Sequence, residues 1–177
     1  MVFPEKLKAG DTIGLAAPAF PVSKEKRDAG AALLERMGYH VAMGRCLKEL
    51  YNFHGYLAGD AKERAMDLNR MFADPEIKAI FCARGGYGSA HIMKYLDYEL
   101  IRKNPKIFVG YSDLTNLHSA LNQICGLVTF HGPMVVSNML SDYDDYSRES
   151  LKRALEMEPG QEMEFVNPPG KPSIGVL

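Results

Sequence analysis

The stretch KIFVGYSDLTNLHSAL, residues 106–121, joins two hydrophobic periods through one small polar residue. Lys106-Ile107-Phe108-Val109 is a short apolar run, predicted as a buried strand, and beyond it Leu114, Leu117, His118 and Leu121 return at helical spacing. A strand that turns into a helix on Ser112 lifts that side chain to the carboxyl edge of a sheet. Open α/β sheets bind ligands at that edge, and nucleophilic serines sit there. The same pattern fits a plainer role, because Ser and Asp are favoured helix N-caps and Ser112 and Asp113 both stand at the start of the helix.

Upstream, the chain alternates strand and helix. The apolar run Asp11 to Ala17 predicts a first buried strand, closed by Pro18 and a loop containing Pro21. Ser23 is placed to cap a helix whose inner face is Ala29, Leu33, Leu34 and Met37, with Gly38 as its stop. Residues 39–43 make a second short strand, so the chain opens β-α-β, the unit of a parallel sheet. Residues 44–59 are irregular and rich in aromatics, and a loop of that length is usually functional. His54 in this loop is a candidate base or metal ligand, with a structural hydrogen bond as the simpler role. Asp60 then caps a helix to Phe72 that places Ala61, Arg64, Ala65 and Leu68 at fitting intervals, and Asp74-Pro75 ends it.

Ile77 to Ala83 is continuously apolar apart from Lys78, as a strand buried on both faces requires. It runs directly into Arg84-Gly85-Gly86-Tyr87-Gly88-Ser89. Three glycines in four residues let the backbone approach a ligand and expose N–H groups to an anion or a developing oxyanion. The loop matches neither G-x-G-x-x-G nor G-x-x-x-x-G-K-[ST], so nucleotide phosphate is a weak reading, and a purely structural turn explains the glycines as well. A helix carrying Ile92, Met93, Tyr95 and Leu96, a short helix from Asp97 to Arg102 and the break at Asn104-Pro105 lead to the opening stretch. After it, residues 126–133 give another strand and turn, with a short helix from Met134. His118, six residues beyond Ser112 on the departing helix, should point away from the serine. His131 comes close if its strand neighbours the serine's strand, although a backbone-bonded turn histidine is the simpler expectation. The aspartates of 141–145 read as a solvated loop and 147–156 as a surface helix.

Bulk properties exclude several classes. The chain has 177 residues, 46% hydrophobic and 24% charged, with a formal charge of −1, so no basic excess suggests nucleic acid. Cys46, Cys82 and Cys125 are odd in number and lack a C-x-x-C pair, which indicates neither a disulfide framework nor a zinc site but reduced, mostly buried thiols. No stretch has the length of a signal-peptide core or a membrane span, and a cytoplasmic location is expected. Domain organisation is read as an α/β domain over 1–158, a proline-rich linker over 159–172 that includes a strand-like 162–166, and the start of a truncated second domain over 173–177.

The glycine loop and the serine turn are consecutive βα turns, so both open at one sheet edge and Ser112 lies near the N–H groups of Gly85 and Gly86. A nucleophile beside preorganised donors suits acyl transfer. In this context the sequence resembles the LD-carboxypeptidases, the serine peptidase family that includes muramoyl-tetrapeptide carboxypeptidase and the microcin C immunity peptidase. The resemblance rests on Gly10-Asp11-Thr12-Ile13 with Ala16 and Pro18, Tyr56-Leu57-Ala58-Gly59, Arg64 with Asp67-Leu68-Asn69, Arg84-Gly85-Gly86-Tyr87-Gly88, Gly110-Tyr111-Ser112-Asp113 and His131-Gly132-Pro133, in that order.

The resemblance implies a Rossmann-like or flavodoxin-like parallel sheet with helices on both faces, and a second domain supplying the Glu and His of a Ser-Glu-His triad. Ser112 matches the family nucleophile, and the N–H groups of Asp113 and Gly86 match its oxyanion hole. Arg84, Gly85 and Tyr87 are the substrate-binding candidates, with a salt bridge supporting the loop as the other role for Arg84. The implied substrate is a murein tetrapeptide that loses its terminal D-amino acid in cell-wall recycling. No cofactor or metal is implied, nor any nucleic acid or membrane partner, and the full-length protein is expected to be a homodimer. Leu114 stands where G-x-S-x-G has its second glycine, which argues against the general α/β-hydrolase fold. Two other functions stay open: cleavage of a peptidyl-nucleotide, as by the immunity peptidases, and non-catalytic nucleotide or anion binding.

Overall fold

Five parallel strands alternate with helices in the computed structural model, which describes residues 1–141, 143–158, 161–162, 167–168 and 170. The predicted strand at 162–166, the linker at 159–172 and the run at 173–177 fall largely or wholly outside these residues. In chain order the elements are β1 (Thr12–Ala16), α1 (Lys24–Arg36), β2 (His40–Met43), α2 (Arg45–Lys48), α3 (Ala61–Ala73), β3 (Ile77–Cys82), α4 (Tyr98–Lys103), β4 (Ile107–Gly110), α5 (Thr115–Cys125), β5 (Phe130–His131) and α6 (Asp145–Glu156). Six-residue and three-residue 3₁₀ segments, Ala90–Tyr95 and Ser112–Leu114, follow β3 and β4, and a π turn, Val135–Met139, follows β5.

Strand order is β2-β1-β3-β4-β5, the flavodoxin-like arrangement, so the α/β expectation holds and its second form is the one adopted. Period-two alternation sorts the strands' side chains between two cores. Ile13, Leu15, Ala79, Phe81, Ile107 and Val109 face α1 and α6, while Ala16, Ile80, Cys82 and Phe108 face α3, α4 and α5. Ile77 faces the second core although it shares parity with Ala79. The pairing of β1 and β3 explains this: Thr12 pairs with Ile77 and Ile13 with Ala79, which leaves Lys78 as an extra, exposed residue.

Helix ends follow the sequence closely. The Ser23 hydroxyl accepts from Lys26 N–H at 3.4 Å, and the Asp97 carboxylate accepts from Leu100 N–H at 2.9 Å. Asp60 and Glu63 form a reciprocal capping box at 2.8 and 3.0 Å. Buried Lys106, just before β4, donates to the carbonyls of Met71, at 2.9 Å, and Asp74, and so finishes α3. Residues 44–59 contain α2, whose Cys46 N–H donates 2.8 Å to buried Asp67. In 141–145, read as a solvated loop, exposed Asp144 caps α6 through Ser147 N–H at 2.7 Å, and Asp145 opens the helix and pairs with Arg148 at 2.9 Å. Leu151 and Leu155 bury that helix's inner face in the core, where only a surface helix was predicted. Cys46, Cys82 and Cys125 are free and buried. None of the described helices is long and apolar enough to cross a membrane.

Candidate active site

Ser112 has φ +63°, in the left-handed region that costs a non-glycine residue about 1–2 kcal/mol. Tyr111 before it is extended, and the 3₁₀ segment turns the chain into α5 only afterwards. A capping residue needs extended backbone, which Ser112 lacks. Neither Ser112 nor Asp113 caps α5, whose N-cap is Leu114 without any side-chain bond. Ser112 is exposed, and its hydroxyl has no hydrogen-bond partner among the described residues.

The glycine loop lies directly against this turn. A Cβ on Gly85 would sit 3.5 Å from Ser112 Cβ and 3.5 Å from the Tyr111 carbonyl oxygen. Gly86 has φ +128°, and a Cβ there would come within 2.3 Å of the Phe20 ring, so this position admits only glycine. The Phe20 N–H donates to the Gly85 carbonyl at 3.4 Å. At the far end of the loop, fully buried Ser89 grips Asp113 twice: its N–H donates to Asp113 Oδ2 at 2.9 Å and its hydroxyl donates to the Asp113 carbonyl. Asn116 Nδ2 donates to the same carbonyl at 2.8 Å and to Ser89 Oγ at 3.2 Å. The Gly85 turn is therefore in contact with the Ser112 turn, and Ser89 ties Asp113 to the same loop.

Arg84 carries no ion pair among the described residues, so the supporting salt bridge is not formed. Its guanidinium stands 5.3 Å from the centre of the Phe20 ring, and its buried Nε has no hydrogen-bond partner among the described residues. A cation with an unused donor beside the glycine loop suits a carboxylate. Tyr87 is 53% exposed at the outer side of the loop, edge-on to His91 with ring centres 5.2 Å apart.

The histidines separate by position. His118 is buried beneath the turn, with Nε2 2.8 Å from the Gly110 carbonyl and Nδ1 2.8 Å from Thr129 Oγ1. A carbonyl only accepts, so Nε2 carries the proton and Nδ1 takes the Thr129 hydroxyl hydrogen. Burial holds its pKa below the ordinary value, with the Gly110 bond acting in the opposite direction. Both ring nitrogens are thus taken up by Thr129 and Gly110. His131 pairs in register with Gly110, is exposed, and stacks its ring 5.9 Å from Tyr111, with no backbone bond from its side chain. His54 is likewise exposed and, among the described residues, meets the Phe53 ring at 4.0 Å without the expected hydrogen bond. Among the described residues, no three His, Cys, Asp or Glu side chains gather where a metal ion would bind.

One residue at the site was read from the sequence only as a helix-face position and a motif match. Arg64 on α3 is 1% exposed, and its guanidinium donates to the carbonyls of Gly59 at 3.0 Å, Gly88 at 2.9 Å and Pro18. The available signal was an arginine at the inward spacing of a helix otherwise lined by Ala65, Leu68, Met71 and Phe72.

Comparison with known proteins places this geometry. The profile of the LD-carboxypeptidase N-terminal domain matches residues 13–132. The chain is 47% identical over 163 residues to a probable murein peptide carboxypeptidase of Bacillus subtilis, covering 92% of this chain and 49% of that protein. It is 35% identical over 130 residues to the murein tetrapeptide carboxypeptidase of Pseudomonas aeruginosa, covering 73% of this chain and 41% of the relative. Its backbone superposes with a TM-score of 0.83 on a mutant of the microcin C7 self immunity protein MccF in complex with adenosine monophosphate. The identity there is 30%, over 90% of this chain and 48% of that one. The chain thus spans about half the length of the relatives it matches.

Proposed function

Since the chain belongs to the LD-carboxypeptidase family, we propose that it carries the nucleophile half of a serine peptidase that removes a terminal D-amino acid from murein tetrapeptide. The observation that carries this reading is the Ser112 turn, exposed, in the left-handed region and packed against the glycine loop. A strained, presented serine beside backbone donors is what nucleophilic attack on an amide needs.

In this mechanism Ser112 Oγ attacks the carbonyl of the amide joining the penultimate residue to the terminal D-amino acid. The N–H groups of Gly86 and Asp113 take the developing oxyanion, and Arg84 takes the substrate's terminal carboxylate, with Gly85 and Tyr87 lining its approach. Collapse of the tetrahedral intermediate expels the D-amino acid, and water then releases the acyl group. The proton acceptor and its orienting carboxylate are a histidine and a glutamate outside these 177 residues. Neither His118, held beneath the strand end, nor exposed His131, packed on Tyr111, serves as base.

The test is D-alanine release from murein tetrapeptide by the full-length protein. Ser112→Ala should lower kcat by about 10⁴-fold or more, the scale seen when a triad nucleophile is removed. The 177-residue chain alone should release none, and robust release by it would assign the base to His131 instead. A second reading, cleavage of a peptidyl-nucleotide, is favoured by the similarity to MccF. Turnover of that substrate in place of the tetrapeptide would select it.

A further inference from the structure

Among the described residues, Arg64 buries a positive charge without a carboxylate in ion-pair range. There its guanidinium donates only to carbonyls, and its buried Nη2 finds no hydrogen-bond partner. Burial disfavours the charged form, and Cys46, Asp113 and Asp60 oppose that effect without an ion pair. An unpaired buried charge of this kind is a cost to stability rather than a gain. The arrangement does accomplish something else. The three carbonyls belong to the turns after β1, to the segment entering α3 and to the glycine loop after β3.

Two of those turns lead to the residues whose amides are assigned to the oxyanion: one to Gly86 through the Gly85–Gly86 peptide, the other to Asp113 through its carboxylate and its carbonyl, which fix that residue on either side of its own N–H. On one side Arg64 holds the Pro18 carbonyl, two residues before Phe20. Phe20 N–H donates to the Gly85 carbonyl, and its ring fills the space over Gly86. The Gly85 carbonyl and the Gly86 N–H are opposite ends of one trans peptide, so fixing the first aims the second. On the other side Arg64 Nη1 holds the Gly88 carbonyl. That peptide's other end is the Ser89 N–H, which holds Asp113 Oδ2 while the Ser89 hydroxyl holds the Asp113 carbonyl.

We propose that Arg64 is a positioning residue that sets both oxyanion amides at once, through Pro18 and Phe20 to Gly86 and through Gly88 and Ser89 to Asp113. The proposal rests on the assignment of Ser112 as nucleophile. Arg64 never touches substrate; it acts on transition-state charge by holding the donors where that charge develops. Lysine keeps the charge but lacks the fork that spans three carbonyls.

The test is steady-state turnover of murein tetrapeptide by full-length protein, with kcat referred to folded enzyme by thermal melting. Arg64→Lys should lower kcat by about 10²-fold, the scale of one displaced oxyanion donor, with KM within about threefold. Arg64→Ala should lose more and recover part of it on addition of guanidinium. A merely structural role would lower the folded fraction while leaving kcat per folded molecule intact, and guanidinium would not restore it. If the Arg64 variants do not fold, Ser89→Ala removes the hydroxyl bond of one arm, leaving the backbone bond and the charge in place, and should lower kcat by about tenfold at unchanged KM. Parent-like kcat in folded Arg64→Lys, or in Ser89→Ala, overturns the proposal while Ser112→Ala stays inactive. Activity surviving in Ser112→Ala overturns instead the nucleophile assignment beneath it.

Discussion

The turns after β3 and β4 each carry a serine at the same edge of the sheet, and the two serines are held in opposite ways. Ser89 is fully buried, has ordinary backbone angles, and both its N–H and its hydroxyl are spent on Asp113. Ser112 is exposed, adopts φ +63°, and its hydroxyl has no partner among the described residues. Residue type alone does not distinguish a structural serine from a nucleophile. What distinguishes them is where the stability goes: the β3 turn is closed by satisfied polar groups and a guanidinium anchor, and the β4 turn leans on that closure while keeping its own strain. A preorganised site combines a rigid neighbour with a reactive group left free.

Stability measurements on both turns would break or sharpen this contrast. The largest effect belongs to Gly86→Ala, because a Cβ would lie 2.3 Å from the Phe20 ring and φ is +128°. Overpacking with backbone strain should cost about 2–4 kcal/mol in denaturant unfolding. A variant as stable as the parent would mean the glycine loop is not wedged as described. Next, Ser89→Ala removes a buried hydroxyl from the Asp113 carbonyl and should destabilise by about 1–3 kcal/mol. Ser112→Gly should act with the opposite sign. Relief of left-handed strain outweighs glycine's extra chain entropy, for a net gain of about 0.5 kcal/mol. Ser112→Ala keeps the strain and should gain nothing. If both serines destabilise when replaced, the contrast between them fails.

Much of this arrangement was legible in the sequence because it depends on short-range chemistry. Ser23, Asp60 and Asp97 cap helices through contacts three residues away, and the run Ile77 to Cys82 could only be a strand covered on both faces. The consecutive turns at Gly85 and Ser112 followed from parallel topology alone. Less visible was whatever needs several distant segments at once. Arg64 fits an inward helix position, yet its partners at Pro18, Gly59 and Gly88 come from three loops, and no local pattern announces that a charge will be buried among carbonyls. The left-handed backbone of Ser112 is similarly imposed by packing, since serine has no intrinsic preference for it. Asp144 and Asp145 looked like loop because acidic residues fit solvent and helix starts equally well until Leu151 and Leu155 are seen to be buried.

The smallest of these stability effects concerns the underside of the β4 turn. His118 Nε2 holds the Gly110 carbonyl, two residues before Ser112, and the Thr129 hydroxyl holds Nδ1. Burial lowers the folded-state pKa of His118 below its ordinary value of 6.5. Above that ordinary value the ring is neutral in folded and unfolded chains alike, and its full contribution is present. As pH falls below it, the unfolded chain takes up the proton first, so stability declines until the folded ring is also protonated. His118→Gln keeps a donor for Gly110 but cannot titrate. The melting temperature of the parent should therefore fall toward that of the variant between pH 7.5 and pH 5, after correction for what both share. The Gly110 bond opposes burial in setting the pKa, which is why the expected change is modest. Parallel melting curves across that range would show that the ring beneath the turn does not couple protonation to folding, leaving the strain at Ser112 to be borne by packing alone.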